Sequence, residues 1–517
     1  MRRAVSRQDR PQLRIKMSAD TSTSEDVRDQ IAGPPEVHVT DGMDGIDRSR
    51  LDECLRVLAE VIDLPPEHPH AIEVRRATAA IFKTVKKTRR AEKRQAVRAA
   101  DNAVIARTAT GAPDRIDDET QGIALVSTAA GASAGTLVRP MACYVCKVRY
   151  VKVDAFYHQM CPSCATTNRD RRDARTNLTG RRALLTGGRA KIGMYIALRL
   201  LRDGAHTTIT TRFPNDAVRR FTGMADSGEW VHRLRIIGID LRDPAQVVGL
   251  ADAVKEQGPL DILINNAAQT VRRSPGSYAL LEQAETAPLP VGQLPDVLTF
   301  GRTSDAHPAA LAGSFGAGGT LSADDLTSLA LTARSATPER IAAAHAIDAG
   351  GLVPDLASIN SWTQVVDEVD PMELLEVQLC NSTAPFILIS QLRSALAAST
   401  ARRKYIVNVS AMEGQFGRKY KGPGHPHTNM AKAALNMLTR TSAYELLSDG
   451  ILMTAVDTGW ITDERPHATK VRLADEGFHA PLDLVDGAAR VYDPIIRGER
   501  GEDLYGCFLK DFEPAPW

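Results

Sequence analysis

Four cysteines in two close pairs are the side chains whose spacing points most directly to chemistry. Cys143 and Cys146 are separated by two residues, Cys161 and Cys164 are separated in the same way, and about fourteen residues lie between the pairs. Four thiolates can surround zinc as a tetrahedron, and a tight turn between paired cysteines presents two sulfurs to one metal. Because all four ligands would be sulfur, the spacing predicts a structural zinc site without an open position for a substrate.

A glycine-rich turn provides a second candidate site. The run from Arg182 to Leu185 has the composition of a short buried strand, and Met194 to Leu201 has a helical pattern. The turn between them, Thr186 to Gly193, is rich in glycine. Backbone amides and the helix dipole at such a helix N-terminus attract phosphate groups. The order of strand, turn and helix therefore predicts a site for the pyrophosphate of a dinucleotide.

The elements that must hold this turn begin at about residue 178. From there short β-branched runs alternate with helical segments, which indicates a doubly wound α/β fold with a parallel sheet. A segment rich in Ala, Gly, Ser and Pro, from about 274 to 355, interrupts this alternation and is interpreted as an insertion or lid outside the core. The run from Gly506 to Phe512 is predicted to be the last strand, and residues 513–517 a tail.

Over residues 178–517 the chain resembles the short-chain dehydrogenase/reductase superfamily. Its turn matches the family's TGxxxGIG loop, with Lys191 in place of the middle glycine, and Asn265 to Ala268 matches the family's NNAG segment. Arg212 ends the second predicted strand, where an acidic residue favours NAD and an arginine favours the 2′-phosphate of NADP. The resemblance implies that NADP(H) contacts Gly187, Arg189, Lys191, Ile192, Gly193, Arg212, Asp240, Leu241, Asn266, Ala267, Lys432, Ile461 and Thr462.

The resemblance also implies a catalytic group of asparagine, serine, tyrosine and lysine. In that group Asn381 would hold a water of the proton relay, Ser410 would bind the substrate carbonyl, and Lys432 would bind the nicotinamide ribose. The family's tyrosine, four residues before the lysine, is replaced by Thr428. A threonine hydroxyl is far too weak an acid to become an anion as tyrosine does, although it can donate a hydrogen bond.

Three other side chains close to Thr428 could donate the proton. They are Tyr420, His425 and His427, and a histidine with its ordinary pKa of about 6.5 is a suitable donor near neutral pH. The two histidines could instead serve only to shape the turn around Pro426. The catalytic candidates are therefore Asn381, Ser410, Thr428, Lys432, His427, His425 and Tyr420.

The N-terminal region differs in composition from the rest. Residues 1–45 are polar and are predicted to form a disordered leader, and residues 46–134 are predicted to form basic helices followed by a linker. An apolar stripe on the longer helix, made of Val74, Ile81, Phe82 and Val85, would dock it against the protein. Its many basic side chains would face solvent, or would bind an acidic partner or nucleic acid.

The zinc ribbon would occupy residues 135–175, ahead of a dinucleotide-binding domain at 176–517. The residues between the two cysteine pairs would form a small hairpin. Since such a segment is too small for a core of its own, zinc binding would supply its folding energy. A short polar linker after the ribbon predicts that it folds separately from the larger domain.

Composition excludes several classes of protein. The 517 residues carry 64 basic and 63 acidic side chains, a formal net charge of +1, so charge does not indicate nucleic acid or membrane as the partner of the whole chain. No apolar run approaches the roughly 20 residues that cross a bilayer. Seven cysteines, four of them in close pairs, suit a metal site in a reducing cytoplasm better than a disulfide framework.

These features predict an NADP(H)-dependent oxidoreductase that acts on a small carbonyl or alcohol substrate. The replacement of the tyrosine leaves open a second class, a catalytically weak NADP(H)-binding sensor or scaffold that engages a partner through the zinc ribbon. A third class, a nucleic-acid-binding zinc protein, depends on the N-terminal third alone. The resemblance implies a homo-oligomer formed through the helices that carry Asn381 and Lys432.

Overall fold

The computed structural model describes residues 45–113, 115, 125–301, 304–308, 310, 348–417, 421–462 and 464–517. They divide into two compact units, one that ends at Arg90 and one that begins at Ala91. The leader predicted at residues 1–45 lies outside the described residues, except for Gly45. Across the described ranges, no helix combines the length and the apolar character that crossing a membrane requires.

Two helices follow the start of the described chain, as the helical periodicity predicts. α1 spans Arg48–Ile62 and α2 spans Pro69–Ile105. Within the unit that ends at Arg90 the apolar stripe of α2 is largely uncovered, and Ile81 and Phe82 are 64% and 66% exposed. With 15 residues against the 37 of α2, α1 is long enough to cover only part of that stripe.

A two-stranded antiparallel sheet and a helix carry the four cysteines. β1, Ser133–Ala142, pairs with β2, Arg149–Asp154, and α3 follows at Pro162–Asp173. The predicted hairpin between the cysteine pairs is therefore wrong, since the partner of β2 precedes the first pair. The chain between the pairs supplies one strand and then a turn into the second pair, which leaves no length for a second strand.

A nine-stranded sheet forms the centre of the larger unit. Its strands are β3 Arg182–Leu185, β4 His206–Thr211, β5 Leu234–Gly238, β6 Ile262–Asn265, β7 Asp296–Thr299, β8 Lys404–Ser410, β9 Ile451–Asp457, β10 Phe508–Lys510 and β11 Glu513–Ala515. Their order is β11-β10-β9-β8-β6-β3-β4-β5-β7, and all neighbours are parallel except β10 and β11.

Helices cover both faces of the sheet. They are α4 Lys191–Arg202, α5 Pro214–Thr222, α6 Pro244–Lys255, α7 Ala279–Thr286, α8 Pro371–Gln378, α9 Ala384–Ala397, α10 Pro426–Leu446, α11 His467–Asp475 and α12 Leu484–Glu499. Leu185 packs in a core with α4 and α12, and its neighbour Leu184 packs in a second core with α6 and α9. This alternation confirms the predicted doubly wound α/β fold.

Two segments predicted to lie outside the sheet are part of it. β7 belongs to the insertion and pairs with β5, with Val297 opposite Ile236, so the interpretation of 274–355 as lying wholly outside the core is wrong. Residues 513–515 of the predicted tail form β11. Both are edge strands with exposed side chains, and β11 contains Pro514, so neither shows the apolar pattern of a buried strand.

The order of the strands fixes where a ligand can bind. Strands β4 and β5 lie on one side of β3, and the next strand in the chain, β6, lies on the other side together with β8 and β9. A crevice therefore opens beyond the carboxyl ends of β3 and β6, which is where open α/β sheets bind their ligands.

Candidate functional site

The glycine-rich turn after β3 lies at this crevice. The Thr186 hydroxyl accepts hydrogen bonds of 3.0 Å from the amides of Asn266 and Ala267, which follow β6. The Asn266 side chain donates to the carbonyls of Thr186 and Gly187 at 3.0 and 3.1 Å, so this asparagine holds the turn. Gly187 has a φ of +68°, and a Cβ there would lie 2.9 Å from the Cα of Ala267. Glycine meets both restraints and other residues do not.

The N-terminus of α4 packs directly on the turn. A Cβ at Gly193 would lie 1.9 Å from the carbonyl oxygen of Gly187, so a larger side chain would fill this cradle. Ala190 precedes the helix and offers no side-chain acceptor to its first amides. These amides and the helix dipole are therefore available to an anion, and the residues fit a dinucleotide pyrophosphate.

Lys191, at the position of the family's middle glycine, has the positive φ that glycine adopts freely, +53°. Its Nζ lies 3.2 Å from Oδ2 of Asp348, a buried carboxylate in the insertion. The other oxygen of Asp348 accepts from the amides of Gly350 and Leu352 at 2.8 Å each. The Lys191 ammonium thus joins the insertion to the turn. Nearby, Arg189 is ion-paired with Asp216 of α5.

Arg212 follows the last residue of β4, and its side chain is exposed. The guanidinium carbon lies 5.6 Å from the centre of the Phe213 ring and 5.5 Å from that of the Tyr278 ring. Cation–π attraction from the two rings orients the guanidinium at the carboxyl end of the strand. The structure therefore places a cation where the resemblance implies the 2′-phosphate of NADP.

Asp240 follows β5, beside the buried Leu241. Its Oδ2 accepts from Arg242 at 2.6 Å and lies 2.9 Å from Nε2 of His307, in the insertion. Burial disfavours the Asp240 carboxylate, but the hydrogen bond from His307 and the charge of Arg242 outweigh burial and hold the pKa of Asp240 well below its ordinary value. The insertion thus contacts the residue that the resemblance assigns to the cofactor.

Asn381 lies in a π-helical turn, Leu379–Thr383, between α8 and α9. Its side-chain oxygen accepts from the amide of Gln269 at 2.7 Å, and its side-chain nitrogen donates to the carbonyl of the same residue at 2.8 Å. Such π-helical turns are rare and occur frequently at functional sites. Here the turn directs the Asn381 amide toward the chain that follows β6.

Ser410 and Lys432 lie together at the carboxyl end of β8. The buried Lys432 donates from Nζ to the carbonyl of Val409 at 2.8 Å, one residue before the serine. The hydroxyl of Ser410 is buried and has no hydrogen-bond partner within the described part of the chain. Burial lowers the pKa of Lys432 to about 8, and the charges of Cys380 and Glu413 oppose that effect. An unpaired buried hydroxyl beside a cation indicates a ligand site.

The proton-donor candidates lie at the start of α10, except Tyr420, which is outside the described residues. The His425 ring stacks on Trp362 with ring centres 4.0 Å apart, and its Nδ1 lies 3.0 Å from the Trp362 carbonyl oxygen. His427 is buried, and its Nδ1 has no partner among the side chains and backbone that the structure describes. The Thr428 hydroxyl lies 3.5 Å from Nε2 of His427, longer than an ordinary hydrogen bond.

Ile461 and Thr462 follow β9, the strand that neighbours β8 and its last residue Ser410. Ile461 is buried, and a Cβ at Gly487 in α12 would lie 2.2 Å from its Cδ1 and 3.1 Å from the Cδ1 of Ile192. The two isoleucines therefore pack over the same glycine. This packing connects the segment after β9 to the glycine-rich turn.

The four cysteines cluster as predicted. The Sγ atoms of Cys143, Cys146, Cys161 and Cys164 all lie within 4.8 Å of one another. Zinc–sulfur bonds of about 2.3 Å in a tetrahedron place the sulfurs about 3.8 Å apart, and Cys146 Sγ lies 3.7 Å from Cys161 Sγ. Lys147, with a φ of +64°, closes the turn after the first pair. The donor set and its spacing fit a single zinc ion.

Hydrogen bonds and burial act in opposite directions on these thiols. Burial raises the pKa of Cys143, but amide hydrogen bonds from Cys161, Cys146 and Val145 outweigh it and lower that pKa to about 7. Burial raises the pKa of both Cys161 and Cys164. Four sulfurs this close repel one another as thiolates, and a divalent cation would remove that repulsion.

Several residues at the site escape prediction from the sequence. His307 and Asp348 in the insertion contact Asp240 and Lys191 across long stretches of chain, and no local pattern indicates such partners. Gln269 is the exception, because it directly follows the NNAA segment, which the resemblance already places at the cofactor site.

Comparison with known proteins gives a family and several relatives. The family described as short chain dehydrogenase matches residues 181–286. An uncharacterised protein of Acanthamoeba polyphaga mimivirus is 32% identical over 381 residues, which cover 70% of this chain and 72% of that protein. A probable oxidoreductase of Streptomyces antibioticus is 41% identical over 91 residues, 18% of this chain and 30% of the relative.

A ketoacyl reductase of Nostoc is 30% identical over 108 residues, 21% of this chain and 37% of that enzyme, so each of these two bacterial matches spans well under half of the relative. Among solved structures, an NADPH-bound carbonyl reductase from chicken fatty liver has 17% identity and a TM-score of 0.40, covering 66% of this chain and all of the other. A short-chain dehydrogenase of Burkholderia cenocepacia in complex with NADP has 20% identity and a TM-score of 0.39, covering 65% and 97%.

Proposed function

We propose, from the premise that this chain belongs to the short-chain dehydrogenase/reductase superfamily, that it is an NADP(H)-dependent oxidoreductase acting on a carbonyl or alcohol. One observation carries the proposal. At the end of β8 the buried Lys432 ammonium donates to the carbonyl of Val409 at 2.8 Å, one residue before Ser410, whose hydroxyl has no hydrogen-bond partner among the described residues. A protein that only holds a nucleotide could use Lys432 but has no need of Ser410, whereas carbonyl reduction requires both a hydrogen-bond donor and a positive charge at the reacting oxygen.

Each residue of the site has a distinct part in that reaction. Bound NADPH would supply the hydride. Ser410 would donate a hydrogen bond to the substrate carbonyl oxygen and so orient it. Lys432 would bind the ribose hydroxyls and stabilise the negative charge that develops on that oxygen.

We favour His427 as the proton donor. His425 is held by its stacking on Trp362, and the hydroxyl of Thr428 is too weak an acid to give up a proton. His427 is buried five residues before Lys432 on the same helix and keeps one ring nitrogen without a partner among the described groups. In alcohol oxidation the same imidazole would accept the proton.

The preference for NADP(H) is attributed to Arg212. Its guanidinium is oriented by Phe213 and Tyr278 at the carboxyl end of β4. Arginine binds phosphate through charge-assisted hydrogen bonds that the hydroxyl of NADH cannot match.

Arg212→Asp is therefore expected to weaken NADPH binding about ten- to a hundred-fold, because loss of a charge-assisted contact costs roughly 1.5 to 3 kcal/mol. NADH binding should change little or improve, and titration with each nucleotide measures both effects. Lys255→Asp, at the end of α6 where the chain returns to the amino ends of the strands, is the matched charge reversal and should leave both affinities unchanged. Equal dissociation constants for NADPH and NADH in the native protein would contradict the assignment.

A second candidate is a catalytically weak NADP(H)-binding sensor. It is favoured by Thr428, whose hydroxyl stands at the family's tyrosine position and lies 3.5 Å from both the Thr270 carbonyl oxygen and His427. The two candidates differ in turnover. An oxidoreductase consumes bound NADPH when a carbonyl is supplied, and a sensor does not.

We also propose that Cys143, Cys146, Cys161 and Cys164 bind one structural zinc ion. Sulfur distances within 4.8 Å support this assignment. With four protein ligands the metal has no open position, so it would take no direct part in the reaction.

A further inference from the structure

The cysteine cluster shares a hydrophobic core with the cofactor domain. One group of buried side chains joins Cys143, Tyr157 and Met160 from the ribbon to Ile461 and Leu482 from the chain after β9. Ile192 of the glycine-rich turn packs against the same group. The prediction that the ribbon folds separately is therefore wrong, because a shared core couples the stability of the two parts.

A hydrogen bond joins the cysteine knuckle directly to the segment after β9. Tyr144 lies between Cys143 and Cys146, and its hydroxyl accepts from the amide of Trp460 at 2.9 Å. The neighbouring Gly459 has a φ of +78°, and a Cβ there would lie 3.3 Å from the Tyr144 hydroxyl oxygen.

Charged contacts tie the helix of the second cysteine pair to the same region. Cys161 is the residue before α3, and Arg172 near the end of α3 donates to Asp483 at 2.6 and 2.8 Å and to Asp486 at 2.9 Å. Tyr157 donates to the same oxygen of Asp486 at 2.6 Å. The side chain of Asp483 caps α12, so these contacts fix the helix N-terminus.

The shared core and the Tyr144 hydrogen bond contact the segment that the resemblance assigns to the nicotinamide. Trp460 immediately precedes Ile461 and Thr462, the residues that the resemblance places beside the carboxamide. Ile461 packs in the core that it shares with the ribbon and also lies against Gly487 of α12. A shift of the knuckle would therefore move the backbone that lines the nicotinamide end of the cofactor site, and would leave Arg212 after β4 in place.

We propose that the metal-bound knuckle positions the nicotinamide-side loop through Tyr144, so that metal loading sets how tightly the reduced nicotinamide is held. Tyr144 is then a positioning residue, because it acts through Trp460 and not on the cofactor itself. The inference rests on the proposed function, since it requires NADP(H) to bind in the crevice. It adds a role for the zinc site that its closed set of four sulfurs does not indicate.

The experiment compares two ligands on the full chain with its zinc content measured. NADPH spans the whole site, whereas adenosine 2′,5′-bisphosphate reaches only the adenosine side. Tyr144→Phe removes the one hydrogen bond to Trp460, and should weaken NADPH binding about 3- to 10-fold, as expected for a single hydrogen bond. Binding of adenosine 2′,5′-bisphosphate should stay unchanged.

Tyr150→Phe is the matched control. Tyr150 is buried in the ribbon, and its hydroxyl donates to the carbonyl of His158 at 2.8 Å, so the hydrogen bond lost in this variant lies within the ribbon. It should bind NADPH as the native protein does. Removing zinc from the native chain with a chelator should weaken NADPH binding at least as much as Tyr144→Phe. In the zinc-free protein the Tyr144→Phe substitution should have no further effect.

The outcomes separate the inference from the proposed function. NADPH affinity that is unchanged by Tyr144→Phe and by zinc removal would overturn the positioning role while leaving the proposed function intact. Equal losses for NADPH and adenosine 2′,5′-bisphosphate would also overturn it, because they would indicate general destabilisation. A native protein that binds neither ligand would overturn the proposed function and the inference together. If Tyr144→Phe does not fold, the zinc-removal titration decides alone.

Discussion

Lys432→Ala is expected to lower kcat/KM for carbonyl reduction by roughly 10²- to 10⁴-fold, the range that acid–base and charge stabilisation contribute in enzymes. The ammonium donates to the backbone carbonyl one residue before Ser410, and the Lys432 side chain is buried. Its loss removes both a ribose ligand and the positive charge at the reacting oxygen. The affinity for NADPH should fall with the rate, and both follow from steady-state kinetics combined with a binding titration.

Lys404→Ala provides a matched control for this substitution. Lys404 is also buried and also donates to a backbone carbonyl, that of Ala401, but it lies at the opposite end of β8. The loss of a buried lysine is therefore the same in both variants, and only the position relative to Ser410 differs. Turnover that survives Lys432→Ala, or falls equally in the two variants, would contradict the catalytic assignment.

The pH dependence of carbonyl reduction is expected to identify His427 as the proton donor. Burial, and then the charge of His425, lower the pKa of His427 below its ordinary value near 6.5. A donor must carry its proton, so kcat/KM should fall as pH rises through that lowered pKa, and the fall should begin below pH 6.5. If Lys432 alone governed the rate, activity would persist until its own pKa of about 8.

His427→Gln should lower kcat/KM by about 10²- to 10⁴-fold. It should also abolish the decrease in kcat/KM that the native enzyme shows as pH rises. His206→Gln, at the exposed amino end of β4, is the control and should retain the native profile. A native rate that stays level from pH 5.5 to 7.5 would exclude a histidine donor. It would then favour a donor of higher pKa, of which Tyr420 is the candidate in this segment.

The sequence is sufficient to predict the parts of the fold that depend on local pattern. The glycine-rich turn, the strand ending in Ser410 and the helix carrying Lys432 each combine a regular apolar period with residues of restricted conformation. Gly187 illustrates the reason, because its positive φ and its approach to Ala267 both require glycine whatever the surrounding chain. The close spacing within each cysteine pair likewise predicts the metal site from local sequence alone.

The remaining features depend on contacts between distant segments, which local periodicity does not encode. β7 has exposed side chains, and its place in the sheet follows only from its pairing with β5. The ion pair of Lys191 with Asp348 joins residues more than 150 positions apart. The hydrogen bond from Trp460 to Tyr144 spans 316 positions. The short polar linker after the ribbon predicts that the ribbon folds separately. The shared core instead couples its stability to that of the larger domain.

The central claim is that this protein transfers hydride from NADPH to a carbonyl at the site formed by Ser410 and Lys432. The most direct test supplies NADPH that carries deuterium on the nicotinamide ring together with a panel of aldehydes, ketones, quinones and ketoacyl thioesters. Mass spectrometry of the products then measures deuterium on the newly formed alcohol carbon. We predict deuterium transfer to at least one product, and its loss in Ser410→Ala. Saturable NADPH binding without deuterium in any product would contradict the claim and identify the chain as a nucleotide-binding sensor.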